Sequence, residues 1–475
     1  MQPCAGVPGV SRKQQLLKRH RRNKRLGLLV GLVALLALGV FSWWWLPLLL
    51  LPLVWAAHEA WFADHLFYAP GEDYAYDFGE QAREVPASLR DGQLQADCVL
   101  QGDETLMLEL QVKSTWLGRF LDPRVELGAA EQADRQTFER GVDGVRFLNL
   151  TGLAVPLQAG TLRLRGRHCR LQGQLRLWIT PAVELQRRRV MVIAPHADDA
   201  ELAAYGLYSQ ADEAWVVTLT AGEIEAEHYQ QMGLAKAEAA RLKGRLRAWD
   251  SVAVPRWAGV AESRCVQLGY FCLQLPAMQA APDQPAASRE ADLADIRVFR
   301  RFNPFPLPAD VDGAPTWRNL LADLRALLEM ARPEVLVMPH PQLDPHPDHI
   351  CAQAAVLEAL QGLAWQPQTL LCYANHLHDN DRWPMGNSGD GIALPPVFDP
   401  ALSLRPCSLP LTLAQQRDKA MALGMMLDLQ PRAALKRRLR RSIQQFLARR
   451  RPSPYGENEF FRKAVRRHEL FWQLK

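Results

Sequence analysis

The pattern of apolar and polar positions along the chain changes character three times. From Leu26 to Ala57 no residue is charged, a run of 32 positions dominated by Leu, Val, Ala and Trp. Roughly 20 consecutive apolar residues cross the hydrocarbon core of a bilayer, whereas the apolar core of a cleaved signal peptide has only about 7–15. The run therefore predicts a membrane anchor over 26–57. Leu26–Trp45 reads as one span that closes on the interfacial aromatics Trp43, Trp44 and Trp45. Pro47 and Pro52 break the remainder into an interfacial stretch or the return leg of a tight hairpin. Residues 71–185 then take the period of strands. LMLELQV at Leu106–Val112 and LQGQLRLWI at Leu171–Ile179 alternate, Val145–Leu150 and Thr161–Arg165 do so more loosely, and Gly and polar clusters separate them. A small all-β, sandwich-like accessory domain is the expectation there. After Arg187–Arg189 the period changes again. Short, fully apolar runs (Val190–Ala194, Trp215–Leu219, Val335–Met338, Leu370–Tyr373) alternate with helical spacing over Tyr229–Ala248, over Trp317–Met330 and from Asp348 onward. That alternation predicts an α/β domain over 188–465, built on a parallel sheet covered on both faces.

Charge refines this division. The formal net charge is +5, but residues 12–25 hold eight Lys/Arg and no acid, so the rest of the chain sums to 5 − 8 = −3. The basic segment 1–25 is expected to stay cytoplasmic, and the far flank carries Glu59, Asp64, Glu72 and Asp73 with no Lys or Arg before Arg83. In a bacterium this predicts a single-pass inner-membrane protein with a periplasmic catalytic domain, the alternative being a hairpin anchor with that domain in the cytoplasm. A second basic cluster spans 432–451. It sets Leu435, Leu439, Ile443 and Phe446 at helical spacing among Lys436, Arg437, Arg438, Arg440 and Arg441. Such a helix suits anionic lipid or a phosphorylated glycolipid, and equally an ordinary solvated face. The acidic body and the lack of a recognised module argue against nucleic acid as a partner. Eight cysteines include no CxxC pair, which argues against a zinc finger or a thioredoxin motif. Cys98 and Cys169 share the β region, either as a disulfide or as two thiols.

Two polar segments each follow a predicted buried strand: Pro195-His196-Ala197-Asp198-Asp199-Ala200-Glu201, and the stretch from Pro339 through His340, Asp344, His346, Pro347 and Asp348 to His349. In an open parallel sheet, ligands bind beyond the carboxyl ends of the strands. Together the segments bring four imidazoles and five carboxylates to that edge. Imidazole nitrogen and carboxylate oxygen are the donors that catalytic zinc takes, usually three of them with one position left open. Hydrolysis also needs a carboxylate to accept the proton of water, and a donor to stabilise the oxyanion and assist the leaving group.

The sequences His196-Ala197-Asp198-Asp199 and His346-Pro347-Asp348-His349, in this order and far apart, resemble the two signatures of the PIG-L/LmbE family of zinc-dependent N-acetylglucosaminyl de-N-acetylases. Leu219-Thr220-Ala221-Gly222-Glu223 and the Tyr455–Phe460 stretch are softer matches, and Arg256 is an approximate counterpart of a substrate-contacting arginine. By motif position the resemblance implies that His196, Asp199 and His349 bind Zn2+ (or Fe2+) and that Asp198 is the general base. It implies that His346 stabilises the tetrahedral intermediate and protonates the amine, with Asp348 tuning that imidazole, all on a Rossmann-like fold. The expected activity is removal of an N-acetyl or other N-acyl group from an amino sugar of a cell-envelope glycoconjugate, such as lipopolysaccharide or a lipid-linked sugar. A metal-dependent phosphoesterase and a non-catalytic membrane glycan-binding protein are the alternatives.

Overall fold

The computed structural model describes residues 12–41, 45–63, 69–129, 132–377, 380–399, 401–430 and 435–474. The uncharged run is divided between two helices, Arg12–Phe41 and Leu46–Trp61. Pro47 falls in the first turn of the second, where a missing N–H costs no intrahelical bond, while Pro52 sits inside it. The uncharged part of the first helix, Leu26–Phe41, has 41 − 26 + 1 = 16 residues, and the second helix also has 16. At 1.5 Å per residue each is about 24 Å long, short of the ~30 Å hydrocarbon core. Among the described residues no helix is long and apolar enough to cross a membrane. Trp43 and Trp44, on which the expected single span depends, lie outside the described residues. Leu29, Val33, Leu36 and Val40 of the first helix are solvent-exposed, as are Leu51, Leu53, Val54 and Trp55 of the second.

The accessory domain departs from a two-sheet sandwich. Strands β1 (Arg83–Arg90), β2 (Gln93–Ala96), β3 (Thr105–Ser114), β4 (Arg124–Ala129), β5 (Gln132–Thr137), β6 (Asp143–Asn149), β7 (Arg163–Arg167) and β8 (Cys169–Thr180) form one antiparallel sheet, in the order β5-β4-β7-β2-β1-β8-β3-β6. Val125 and Leu127 of β4 share a core with Leu108 and Leu110 of the distant β3, so the sheet curls over its own apolar face. The other face of β3 is covered as well: Met107 packs with Phe78 and Phe147 against Leu404, Leu470 and Trp472 of the following domain. Cys98 and Cys169 are free thiols.

The second domain carries β9 (Arg189–Ala194), β10 (Glu213–Thr220), β11 (Cys265–Tyr270), β12 (Val335–Pro339), β13 (Thr369–Tyr373), β14 (Arg405–Pro410) and β15 (His468–Gln473), in the order β11-β10-β9-β12-β13-β15-β14. The five strands from β11 to β13 are parallel, and β15 runs antiparallel to both neighbours. Met191 and Ile193 enter the core on one face of the sheet, Val190, Val192 and Ala194 the core on the other. This double burial is why the strands read as unbroken apolar runs. The strand order reverses between β9 and β12, which opens a crevice at their carboxyl ends. The helix expected over Tyr229–Ala248 is instead Lys236–Ala253, because Gly233 takes a left-handed conformation (φ 91°) that ends the preceding turn. The expected basic helix is Leu435–Leu447, with 431–434 outside the described residues.

Candidate metal centre

Each polar segment is held by local backbone chemistry before any ligand is considered. Thr220 at the end of β10 donates from its N–H and its hydroxyl to Pro195 O (3.0 and 2.8 Å), fixing the turn out of β9. Asp199 opens the helix Asp199–Tyr208, and its Oδ2 accepts the His196 N–H at 2.9 Å. On the other side His346 is the N-cap of the helix Pro347–Gln361, its Nδ1 accepting the Asp348 N–H at 3.3 Å. Pro347 then starts the helix and tucks Asp348 and His349 into the buried first turn.

These turns bring three donor atoms to one point. His196 Nδ1 lies 3.1 Å from Asp199 Oδ2, His349 Nε2 lies 3.2 Å from the same oxygen, and the two ring nitrogens are 3.4 Å apart. A tetrahedral ion with ligand bonds of about 2.0–2.1 Å has ligand–ligand edges of about 3.3–3.4 Å, close to this triangle. The far nitrogen of each ring faces a carboxylate: His196 Nε2 is 3.2 Å from Asp348 Oδ2, and His349 Nδ1 is 2.9 Å from Asp344 Oδ2. Both rings then carry their proton on the far side and turn a lone pair to the centre, the carboxylate–histidine–metal arrangement. Three lone pairs facing one another are satisfied only by positive charge. The titration behaviour says the same. Burial alone would lower His349, but Asp199 and Asp344 outweigh it and raise it to about 9. His196 is raised well above the usual histidine range, against its burial, by Asp199 and Asp348. The donor set and its spacing fit a divalent ion. Three further groupings overlap this triangle: His196 with His346 and His349, Asp199 with His349 and His376, and His196 with Cys272 and Asp348, the last with His196 Nε2 3.6 Å from Cys272 Sγ.

Of the remaining expected residues, Asp198 is buried beside the triangle, and its Oδ1 accepts from Arg247 Nη2 at 2.9 Å. His346 stands against His196 and His349, each at a ring-centroid distance of 4.9 Å. Burial first, then the neighbouring His196 and His349, push it down to about 4. Because its Nδ1 accepts the Asp348 N–H, the neutral ring keeps its proton on Nε2. Asp348 acts on His346 through its charge, which favours the protonated ring, while its carboxylate accepts from Leu273 N (2.7 Å) and also backs His196. His340 points away from the crevice, against Trp472.

Several functional neighbours escaped the sequence. His376 comes from the turn after β13, 5.2 Å from His349 and 5.6 Å from His346 between ring centroids, and is the fourth imidazole in place of His340. The strand-end rule applied to Leu370–Tyr373 points to it. Asn375 donates from Nδ2 to Asp199 Oδ1 at 2.8 Å and so orients the carboxylate. Arg247, deep in the helix Lys236–Ala253, pairs with Asp198 and with Asp428 (both 2.9 Å), a bridge between distant segments that no local pattern announces. Gly222 adopts φ 60°, and a Cβ there would meet Arg247 Nε at 2.5 Å. Glu223 is buried and accepts from Cys272 N and from Ser288 Oγ, so it braces the loop rather than facing the centre. Arg256 is exposed and pairs with Glu262.

Residues 191–360 match the family model PIG-L, described as GlcNAc-PI de-N-acetylase. The chain carries a PIG-L domain. It contains the strands β9 to β12 and both polar segments, and members of this family are hydrolases that remove N-acetyl groups. No curated protein matches the chain. Among solved structures, the 4-carboxy-2-hydroxymuconate hydratase GalB from Pseudomonas putida KT2440 is similar at 14% identity and a TM-score of 0.30, covering 54% of this chain and 83% of its own. A family two carbohydrate esterase from Cellvibrio japonicus is similar at 10% identity and a TM-score of 0.16, covering 63% and 88%. Likenesses this low carry no conclusion on fold or function.

Proposed function

We propose that this protein is a metal-dependent de-N-acylase, acting at a membrane surface on an amino sugar of a cell-envelope glycoconjugate such as lipopolysaccharide or a lipid-linked sugar. The observation that carries the reading is the triangle of His196 Nδ1, Asp199 Oδ2 and His349 Nε2, with edges of 3.1–3.4 Å, inside the PIG-L domain. Its two-nitrogen, one-oxygen set suits Zn2+ and also accepts Fe2+. A divalent metal held there by His196, Asp199 and His349 would supply a Lewis acid to polarise the amide carbonyl and activate water. The chain does the rest. Arg247 occupies Asp198 Oδ1, which leaves the other oxygen as the acceptor for the water proton. His346 presents Nε2–H to the developing oxyanion, and the proton that Asp198 accepts from water is the one delivered to the departing amine, since the neutral ring has none to spare. His349 and His196 are held in one tautomer by Asp344 and Asp348.

The 32-residue uncharged run, the exposed leucines of its two helices and the basic helix Leu435–Leu447 support attachment to an inner membrane. The two-metal phosphoesterase alternative would need Asp344 and Glu201 as further ligands, and both are committed elsewhere. Asp344 Oδ2 accepts from His349 and from the N–H groups of Asn375 and His376, while burial raises Glu201 to about 8. The first experiment is the metal content of a fragment starting at Ala69, compared with His349→Ala. About one zinc or iron per chain, lost in the variant, supports the site and justifies assaying acetate release from N-acetylated envelope sugars. A folded fragment that takes up no metal from added zinc rules the reading out.

A further inference from the structure

The ring of His196 has a use at each end. Its Nδ1 belongs to the triangle, while its Nε2 meets Asp348 Oδ2 at 3.2 Å and Cys272 Sγ at 3.6 Å. Cys272 Sγ lies 3.5 Å from the same Asp348 oxygen, so these three atoms form a second triangle on the far side of the ring. A tetrahedral ion bonds nitrogen and oxygen at about 2.0–2.1 Å and sulfur at about 2.3 Å. Its edges are then about 3.3–3.4 Å between nitrogen and oxygen, and about 3.5–3.6 Å from either to sulfur. The observed edges of 3.2, 3.6 and 3.5 Å follow that pattern, with the two long ones at the sulfur.

The carboxylate of Asp348 is unevenly used. Leu273 N–H donates to its Oδ2 at 2.7 Å, and the Cys272 thiol and the His196 ring meet the same oxygen. Its Oδ1 is buried and has no hydrogen-bond partner among the described residues. An orphaned buried acceptor calls for an explanation, and a cation gripped by both carboxylate oxygens supplies one. The loop that carries the thiol is held in place from both sides. Glu223 Oε2 accepts from Cys272 N at 3.1 Å, and Asp348 accepts from the next N–H in the chain. Leu273 itself takes a left-handed conformation (φ 59°), which a leucine adopts only when its surroundings impose it. Two buried carboxylates thus fix consecutive peptide groups and set Sγ beside His196.

We infer that His196 Nε2, Cys272 Sγ and Asp348 form a second cation site for a thiophilic divalent ion, such as zinc in excess or cadmium, back to back with the first triangle across one imidazole. Thiolate sulfur selects such ions over magnesium or calcium. Binding sends the Cys272 thiol proton and the His196 Nε2 proton to solvent and leaves the ring as a shared ligand. The two ions sit at opposite ends of that ring with no oxygen between them, unlike the close pair of a two-metal phosphoesterase. The second ion also takes Asp348 from His196 and draws electron density from the ring, so the hold on the first ion weakens and excess metal inhibits. The second site stands apart from the deacylase reading, and only its inhibitory effect rests on that reading.

The test is a cobalt titration of the full chain in detergent, stripped of metal, read by ions bound per chain and by the near-ultraviolet band of a cobalt–thiolate bond. Wild type is expected to bind about two ions and show the band, and Cys272→Ser to bind about one without it. His349→Ala breaks only the first triangle and should keep the band, so a failure of the deacylase site leaves this result standing. No band in wild type at saturating cobalt, or an unchanged band in Cys272→Ser, overturns the second site. A total of about one ion with the band present overturns it too, since a single ion then occupies the sulfur end alone. Excess zinc should lower acetate release about tenfold or more in wild type and not in Cys272→Ser, each against its own rate without added zinc. Inhibition that persists in the variant overturns the inhibitory role. Circular dichroism identifies any loss that comes from unfolding.

Discussion

Replacing Asp344 by Asn separates a metal-binding role of His349 from a merely structural one. Asp344 Oδ2 accepts from His349 Nδ1 (2.9 Å), Asn375 N (2.9 Å) and His376 N (3.1 Å), and its Oδ1 accepts from His346 N (3.2 Å). An asparagine can place its amide oxygen where Oδ2 was and keep the first three bonds without their charge. Its NH2 group then faces the His346 N–H, donor against donor. One buried unsatisfied N–H costs about 1–3 kcal/mol of stability. The larger effect falls on the metal. Without the carboxylate, His349 is a weaker base and its tautomer is less firmly set, and losing such a partner typically costs 10–100-fold in affinity. That factor corresponds to about 1.4–2.8 kcal/mol. The assay is zinc competition against a chromophoric chelator, run on wild type and Asp344→Asn at pH 7, with thermal unfolding of the apo forms alongside. Zinc affinity within a factor of about three of wild type, in a protein whose apo form is destabilised as expected, would refute the assignment of His349 as a ligand.

Arg247→Lys keeps a positive charge but loses the fork that holds Asp198 and Asp428 together. Acetate release from an N-acetylated amino sugar should fall at least tenfold in kcat with KM and zinc affinity little changed; a parallel loss of zinc would mean that Arg247 shapes the metal site itself. His340 gives a pH signature. Burial pushes it down to about 4, against a partial opposing effect from Asp344. The unfolded chain, titrating near 6.5, then binds a proton that the folded one refuses. Its contribution to stability is complete above pH 6.5 and is lost as pH falls from 6.5 to 4, about 3 kcal/mol in all. His340→Asn keeps an acceptor for the N–H groups of Gln342 and Leu343 and cannot titrate, so urea unfolding across that window should show a shallower pH dependence than wild type.

What the sequence revealed and what it hid follow from the range of each interaction. Runs such as Val190–Ala194 and Val335–Met338 announced buried parallel strands because both sheet faces are covered, and the two motifs were legible because each lies within a few residues of a strand end. The alternation LMLELQV also marked β3 correctly. It did not show that Met107 is buried from the other side, since that partner surface lies some 300 positions downstream around Leu404 and Trp472. A sandwich was expected over 71–185, but alternation specifies a half-buried strand and says nothing of whether the sheet splits or curls. The resemblance gave Asp348 the tuning of His346, and its charge does act on that ring, but its carboxylate also faces His196, 152 positions away, which no local pattern shows. Arg247 and Asn375 were invisible for the same reason: their partners are fixed by tertiary packing alone.

The same logic assigns the accessory domain a structural task that can be tested. β14 is the last strand of the catalytic sheet, and an open edge strand invites pairing with other chains. Here the edge is occupied: Ser408 N donates to Thr105 Oγ1 (3.0 Å), and Asn149 Nδ2 donates to Ser408 Oγ (2.7 Å). Beside it, Leu404, Leu470 and Trp472 are buried beneath Phe78, Met107 and Phe147 of the other domain. Gly391 N is held by Asp134 Oδ1 at 2.8 Å, so the loop that carries Arg382 and Pro384 is braced from the same side. Removing the β sheet would expose an edge strand and an aromatic patch at once, a combination that favours association. A fragment starting at Ala69 should therefore remain monodisperse on gel filtration, whereas one starting at Arg188 should aggregate even with zinc present. If the shorter fragment stays monomeric and keeps its metal, the accessory sheet is dispensable for the fold, and its contacts with β14 must be explained by what it does for substrate rather than for stability.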